Sequence, residues 1–174
     1  DAQESRGLGD VYKRQQIINE LSLNDGDITG VPTGLSSIDM KLSGLQPSQL
    51  ILLAARPAMG KTALGLTMAW NAAKEGKSVA FFSLEMSTLQ LNYRLISMVS
   101  MIDLEQVMNG RIKDDEWELL FRSVREIVDK DLYVDETPAI SLSEMRSKLK
   151  RLKAESGLDL SLIHISEPTR LLSI

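Results

Sequence analysis

AARPAMGKTALGL, residues 54–66, decides the fold class of this 174-residue chain. Ala55-Arg56-Pro57-Ala58-Met59-Gly60-Lys61-Thr62 has the spacing of a phosphate-binding loop, with Ala55 where the first glycine usually stands. Its flanks supply the expected context. QLILLA (49–54) is a nearly continuous aliphatic run, the pattern of a strand buried on both faces of a parallel sheet. KTALGLTMAWNAAKEG (61–76) is Ala-rich with helical spacing, and Gly76 is placed to end the helix. A polyphosphate needs converging backbone N–H groups at a helix N-terminus, where the helix dipole also favours negative charge. Pro57 has no N–H, so the expected donors are Ala58 through Thr62. Gly60 permits close approach of the backbone, Lys61 is a cation for the β- and γ-phosphates, and the Thr62 hydroxyl is a hard oxygen ligand for Mg²⁺. The expected nucleotide contacts are therefore Ala55, Arg56, Pro57, Ala58, Met59, Gly60, Lys61, Thr62 and Ala63. The competing reading is a glycine turn between strand and helix with Lys61 merely solvated.

Working outward, residues 24–45 are turn-rich, punctuated by Gly26, Gly30, Gly34 and Gly44. SVAFFSLE (78–85) predicts a second buried strand, and Ser87 with Gln90 predicts a capping box opening a helix. In DDEWELLFRSVREIVDK (114–130), Trp117, Leu120, Phe121, Val124 and Val128 share one helical face, with Asp114 and Asp115 at the positive end of the dipole. LYVDE (132–136) is a third strand. A second capping box, Ser141 and Glu144, opens a helix aligning Leu142, Met145, Leu149 and Leu152. Strands alternating with helices predict an α/β fold with a mostly parallel sheet flanked by helices. Glu85, at the carboxyl end of the second strand, has two readings. It is either an acid before a helix N-terminus or a carboxylate that orients or deprotonates an attacking water.

Net charge is −4 and the pI near 5.1, which gives no global electrostatic footprint for nucleic acid. Cysteine is absent, excluding disulfides and thiolate metal sites. No apolar run reaches the roughly 18 residues of a membrane span, and no signal-peptide core stands at the N-terminus, so the expectation is a cytoplasmic protein with no membrane partner. Arg146, Lys148, Lys150, Arg151 and Lys153 are expected to form an ordinary solvated helix face, and Met86, Met98 and Met101 to belong to the core.

Several motifs then occur in order: ITGVPTG (28–34), ARPAMGKTA (55–63), SLEM (83–86), DDEWELL (114–120), LYVDETPAIS (132–141) and LKAESGLDL (152–160). Across residues 24–159 this series resembles the ATPase domain of the bacterial DnaB-type replicative DNA helicases. The resemblance implies a RecA-like P-loop fold and a homohexamer with ATP between subunits. It further implies ATP·Mg²⁺ hydrolysis driving 5′-to-3′ translocation on single-stranded DNA, with primase and a helicase loader as partners. By the same resemblance Lys61 and Thr62 match the Walker A pair and Glu85 the catalytic glutamate. Another RecA-like ATPase, such as a recombinase or repair paralogue, and a nucleotide-dependent loader are the alternatives.

The family continues after GLDL with a strand ending in the Walker B aspartate, whereas here the register reads Ser161-Leu162-Ile163-His164. His164 is the only histidine of the chain. Pairing residue n with residue 175−n, every position from Asp1/Ile174 to Gln15/Leu160 is compatible with codons that are reverse complements. Val11 as GTG gives CAC for His164, for example, and the agreement fails at Gln16/Asp159. DVYKRQ and LSLIHI also resemble translations of a transposase end sequence used in preparing sequencing libraries. The expected organisation is an artefactual or disordered extension at 1–15, the N-terminal part of a RecA-like helicase ATPase domain at 16–159, and an artefactual tail at 160–174. On that organisation the chain lacks the Walker B strand, DNA-binding loops and arginine finger, and it is expected to bind ATP·Mg²⁺ weakly at best and not to unwind DNA. LSLIHI is apolar enough to form a strand whatever its origin.

Overall fold

The computed structural model describes residues 28–56 and 58–165. Around a central strand it builds three layers. β1 (Val79–Ser83) is buried along its whole length and pairs in parallel with β2 (Leu132–Asp135) on one side and β3 (Leu160–His164) on the other, giving the order β2-β1-β3. The register sets Val79 beside Leu132 and Leu160, and Ser83 beside His164. Successive side chains of β1 point to opposite faces, and each face meets a different helical layer. Val79 and Phe81 pack with Leu66, Ala69, Trp70 and Ala73 of α2 (Lys61–Lys74) and with Leu91 and Leu95 of α3 (Thr88–Ser100). Ala80 and Phe82 pack with Met145, Leu149 and Leu152 of α6 (Leu142–Glu155). The elements α1 (Ser36–Leu42), α4 (Leu104–Asn109) and α5 (Trp117–Val128) complete the described chain.

Helix ends follow their local chemistry. Both expected capping boxes form: Ser87 with Gln90 opens α3, and Ser141 with Glu144 opens α6. Gly76 has φ +75, its N–H bonds the carbonyl of Ala73, and the N–H of Lys77 bonds that of Ala72. That is the Schellman arrangement, and it closes α2 one residue after Glu75. Upstream, the buried Asp39 carboxylate accepts from the Thr33 N–H and hydroxyl and from the Gly34 N–H, at 2.8–3.0 Å. The Asn71 amide donates to the Thr33 carbonyl, which ties the turn-rich segment to α2.

Four sequence expectations are corrected. Residues 49–54 form no strand; Leu50 is 96% and Leu52 86% exposed. Aliphatic content favours burial only where a neighbouring strand and covering layers exist, and no described strand pairs with this segment. The apolar stripe of α5 is split. Leu120, Val124 and Ile127 turn inward with the buried Ser123, whereas Trp117, Phe121 and Val128 are exposed. Only one side of α5 meets α3, so a wide stripe cannot be wholly covered. Leu142, the first residue of α6, is 84% exposed because the helix begins beyond the edge of the core. Met86 and Met98 pack against the core as expected, but Met101 is 88% exposed, a left-handed C-cap residue where the chain turns away from α3.

Candidate functional site

The carboxyl ends of β1 and β3 and the N-terminus of α2 converge, the place where parallel α/β sheets hold ligands. The loop feeding α2 contains two left-handed residues, Ala58 (φ 64) and Gly60 (φ 84). Gly60 is the N-cap of α2, and its carbonyl accepts the first helical bond, from the N–H of Leu64. Open space surrounds the position a Cβ would take at Gly60, so glycine is required there by its backbone angle and not by crowding. Ala58, Met59, Gly60 and Ala63 are exposed with Arg56, while Ala55, Lys61 and Thr62 are half-buried. The Met59 N–H donates to the Arg56 carbonyl at 3.2 Å, so within the loop it is spent internally and does not join the other expected donors. Pro57 lies outside the described residues.

The two polar side chains that open α2 both reach the end of β3. Lys61 Nζ donates to the Ile165 carbonyl at 2.8 Å, and Thr62 Oγ1 lies 2.7 Å from His164 Nε2. Glu85 stands two residues beyond β1, with Oε2 3.5 Å from the same Nε2. The turn carrying Glu85 is fixed at both ends. The buried Ser83 hydroxyl donates to the Met86 carbonyl and accepts from the Met86 N–H, and the Leu84 N–H donates to the His164 carbonyl. His164 is 7% exposed and packs 6.2 Å from the Phe81 ring, with Nδ1 buried and without a hydrogen-bond partner among the described residues. Burial pushes its imidazole below the ordinary value of 6.5; the Glu85 charge pulls it back up and the Lys61 charge pushes it further down. At neutral pH the ring is therefore uncharged.

This donor set does not suit Mg²⁺. Magnesium takes oxygen ligands in octahedral geometry, and here an imidazole nitrogen occupies the position facing the Thr62 hydroxyl. Among the described residues no three His, Cys, Asp or Glu side chains group as a metal site. The sequence singled out Lys61, Thr62 and Glu85 separately, and the structure brings all three to the end of β3 at His164. It also engages part of the basic face of α6. Lys148 bonds Asp135 Oδ2 at 2.5 Å and Thr137 Oγ1 at 2.7 Å, and Arg151 lies 3.9 Å from Glu155. Burial works to raise the Asp135 pKa, but the bonds from Lys148 and Thr137 outweigh it and hold the carboxyl below its usual range. The pairing of Lys148 with Asp135 was not foreseen; its one sequence signal is an acid at the end of a strand facing a Lys-rich helix.

The model of the DnaB-like helicase C-terminal domain matches residues 30–166, most of the chain and across β3. The chain belongs to the DnaB-like helicase C-terminal domain family. It is 42% identical over 147 residues to the replicative DNA helicase DnaB of Geobacillus stearothermophilus and to the replicative DNA helicase DnaC of Bacillus subtilis strain 168. Each alignment covers 84% of this chain but 32% of the relative, so the chain spans about a third of their length. Among solved structures, one described as an ATPase domain superposes with a TM-score of 0.83 at 27% identity, over 94% of this chain and 60% of that one. A DnaB-like replicative helicase, described with its interactions with primase, superposes at 0.77 and 27% identity over 89% and 39%. The α/β architecture of this DnaB-like chain is thus RecA-like, and its family is one of nucleotide-dependent helicases. Among the described residues no helix is long and apolar enough to cross a membrane.

Proposed function

We propose that this chain is the ATP-binding portion of a cytoplasmic replicative DNA helicase, a homohexamer that moves 5′-to-3′ on single-stranded DNA and works with primase and a helicase loader. The observation that carries the reading is the union of Gly60, Lys61 and Thr62 at the start of α2 with Glu85 at the carboxyl end of the neighbouring sheet. ATP supplies the γ-phosphoryl group that is hydrolysed. The free N–H groups at the start of α2 bind its phosphates, and the Lys61 ammonium leaves the Ile165 carbonyl to offset their charge. Ala55, Arg56, Pro57, Ala58, Met59 and Ala63 shape the loop around them. Glu85, 45% exposed and held by the Ser83 turn, accepts a proton from the attacking water or orients it. Because the residues facing Thr62 do not suit Mg²⁺, no step is assigned to the ion. For the same reason the chain as it stands is expected to bind nucleotide but to hydrolyse it slowly and not to unwind DNA.

The same proposal sets the domain limits at 16–159, with 1–15 and 160–174 derived from one inverted DNA repeat. Codon complementarity across all positions of the two ends supports this, and residues 1–15 and 166–174 lie outside the described residues. Recovering DNA whose two ends share no inverted repeat would overturn it. The nucleotide reading is tested by titrating a fluorescent ATP analogue into the chain and into Lys61→Ala. Saturable binding weakened at least about tenfold by the substitution is expected, and equal binding by both would overturn the reading.

A further inference from the structure

The turn that carries Glu85 is held from the β3 side by the bond from the Leu84 N–H to the His164 carbonyl. From the β2 side it is held by Glu136, a residue far along the chain from the phosphate-binding loop. Glu136 directly follows β2, and its carboxylate Oε2 accepts from the N–H of Thr88, the first residue of α3. The alternation of extended backbone explains how it gets there. Asp135, in register with Phe82, faces α6, where Lys148 bonds both its carboxylate and the Thr137 hydroxyl. The Thr137 N–H also donates to Asp135 Oδ1 at 2.9 Å. Residues 135 and 137 are thus locked from the α6 side. Glu136, between them, reaches the opposite face of the sheet, the one that α3 covers.

Thr88 stands three residues after Glu85. Between them lie Met86, gripped by the Ser83 hydroxyl, and Ser87, the N-cap of α3. A carboxylate on a first-turn N–H makes a charge-assisted bond that the helix dipole also favours. We propose that Glu136 is a positioning residue for Glu85: through Thr88 it fixes the start of α3, and with it the turn that presents the Glu85 carboxylate 3.5 Å from His164 Nε2. The turn is then tied to all three strands, to β1 by Ser83, to β3 by Leu84 and to β2 by Glu136. The role rests on Glu85 being the group that orients or deprotonates water, whereas the placement is measurable without nucleotide.

The chain has a single histidine, so its ring resonances in a nuclear magnetic resonance spectrum report on Glu85 without ambiguity. The experiment records them for the full chain at one neutral pH, with and without Glu85→Gln. It repeats the pair in Glu136→Ala and in Glu136→Gln, each variant checked for its fold by circular dichroism. Glu85→Gln is expected to shift the His164 resonances in the parent chain, and to shift them at least about twofold less in Glu136→Ala. Glu136→Gln keeps an oxygen that accepts from the Thr88 N–H, so most of the shift is expected to return. The Thr88 amide resonance is expected to move upfield in Glu136→Ala. A Glu85→Gln shift as large in Glu136→Ala as in the parent, or absent from the parent, would overturn the proposal. So would an unmoved Thr88 amide, or a loss in Glu136→Gln as complete as in Glu136→Ala. Binding of the ATP analogue is measured on the same samples; its absence beside the expected shifts would overturn the nucleotide reading and leave the placement of Glu85 standing.

Discussion

At the scale of single residues, the site is governed by what stands opposite Thr62. A carboxylate there would complement a magnesium ion, whereas the neutral His164 ring instead takes the threonine hydroxyl for itself. Its depressed pKa has a consequence for stability, with a definite sign. The unfolded chain takes up a proton near pH 6.5 and the folded chain only at lower pH, so protonation favours unfolding. Stability is therefore expected to be constant in this component above about pH 6.5 and to fall as the pH drops from there toward the folded pKa. His164→Asn should flatten that part of the profile, which urea denaturation between about pH 5 and 7.5 would measure. Asp135 acts lower on the scale. Its folded pKa is depressed, so its contribution is present above the unfolded value of 3.8 and is lost as the pH falls below it. Lys61 and Thr62 stand out in the sequence through the spacing of a phosphate-binding loop, and Glu85 only through the family resemblance. Their convergence on the end of β3 is not legible there, since it depends on β3 lying beside β1 in one particular register.

At the scale of elements, local signals fared best where a short-range hydrogen bond decides the outcome. Ser87, Ser141 and Gly76 each bond to groups within four residues, and each end stands where the sequence put it. Ser141→Ala is expected to cost about 1 kcal/mol of unfolding free energy, because the Glu144 N–H loses its acceptor. Gly76→Ala is expected to cost about 1–2 kcal/mol, the penalty of a side chain in the left-handed region. Chemical denaturation of each variant checks both figures. Signals that depend on tertiary neighbours fared worse. QLILLA reads as a buried strand from composition, yet it has no paired neighbour among the described residues. The stripe of α5 gave the right helix but only part of its inward face: Leu120 and Val124 turn inward, whereas Trp117 and Phe121 lie against each other on the exposed side, 5.7 Å between ring centres. Nothing in the spacing of a helix says how wide a groove its neighbour offers.

At the scale of the whole molecule, β2 and β3 bound the described sheet with unpaired edges, and Leu50 to Leu53 expose aliphatic surface. Unprotected edges and contiguous apolar surface favour association between chains. Concentration-dependent self-association is therefore expected by sedimentation velocity, reduced by the double substitution Leu50→Lys and Leu52→Lys. An unchanged distribution in that variant would remove residues 50–53 from the interface. The central claim is a nucleotide site built on the loop that opens α2, and the most direct measurement is equilibrium binding of a fluorescent ATP analogue to the chain and to Lys61→Ala. The account predicts saturable one-to-one binding, weakened at least about tenfold in the variant. No saturable binding, or equal affinity in both proteins, would contradict it.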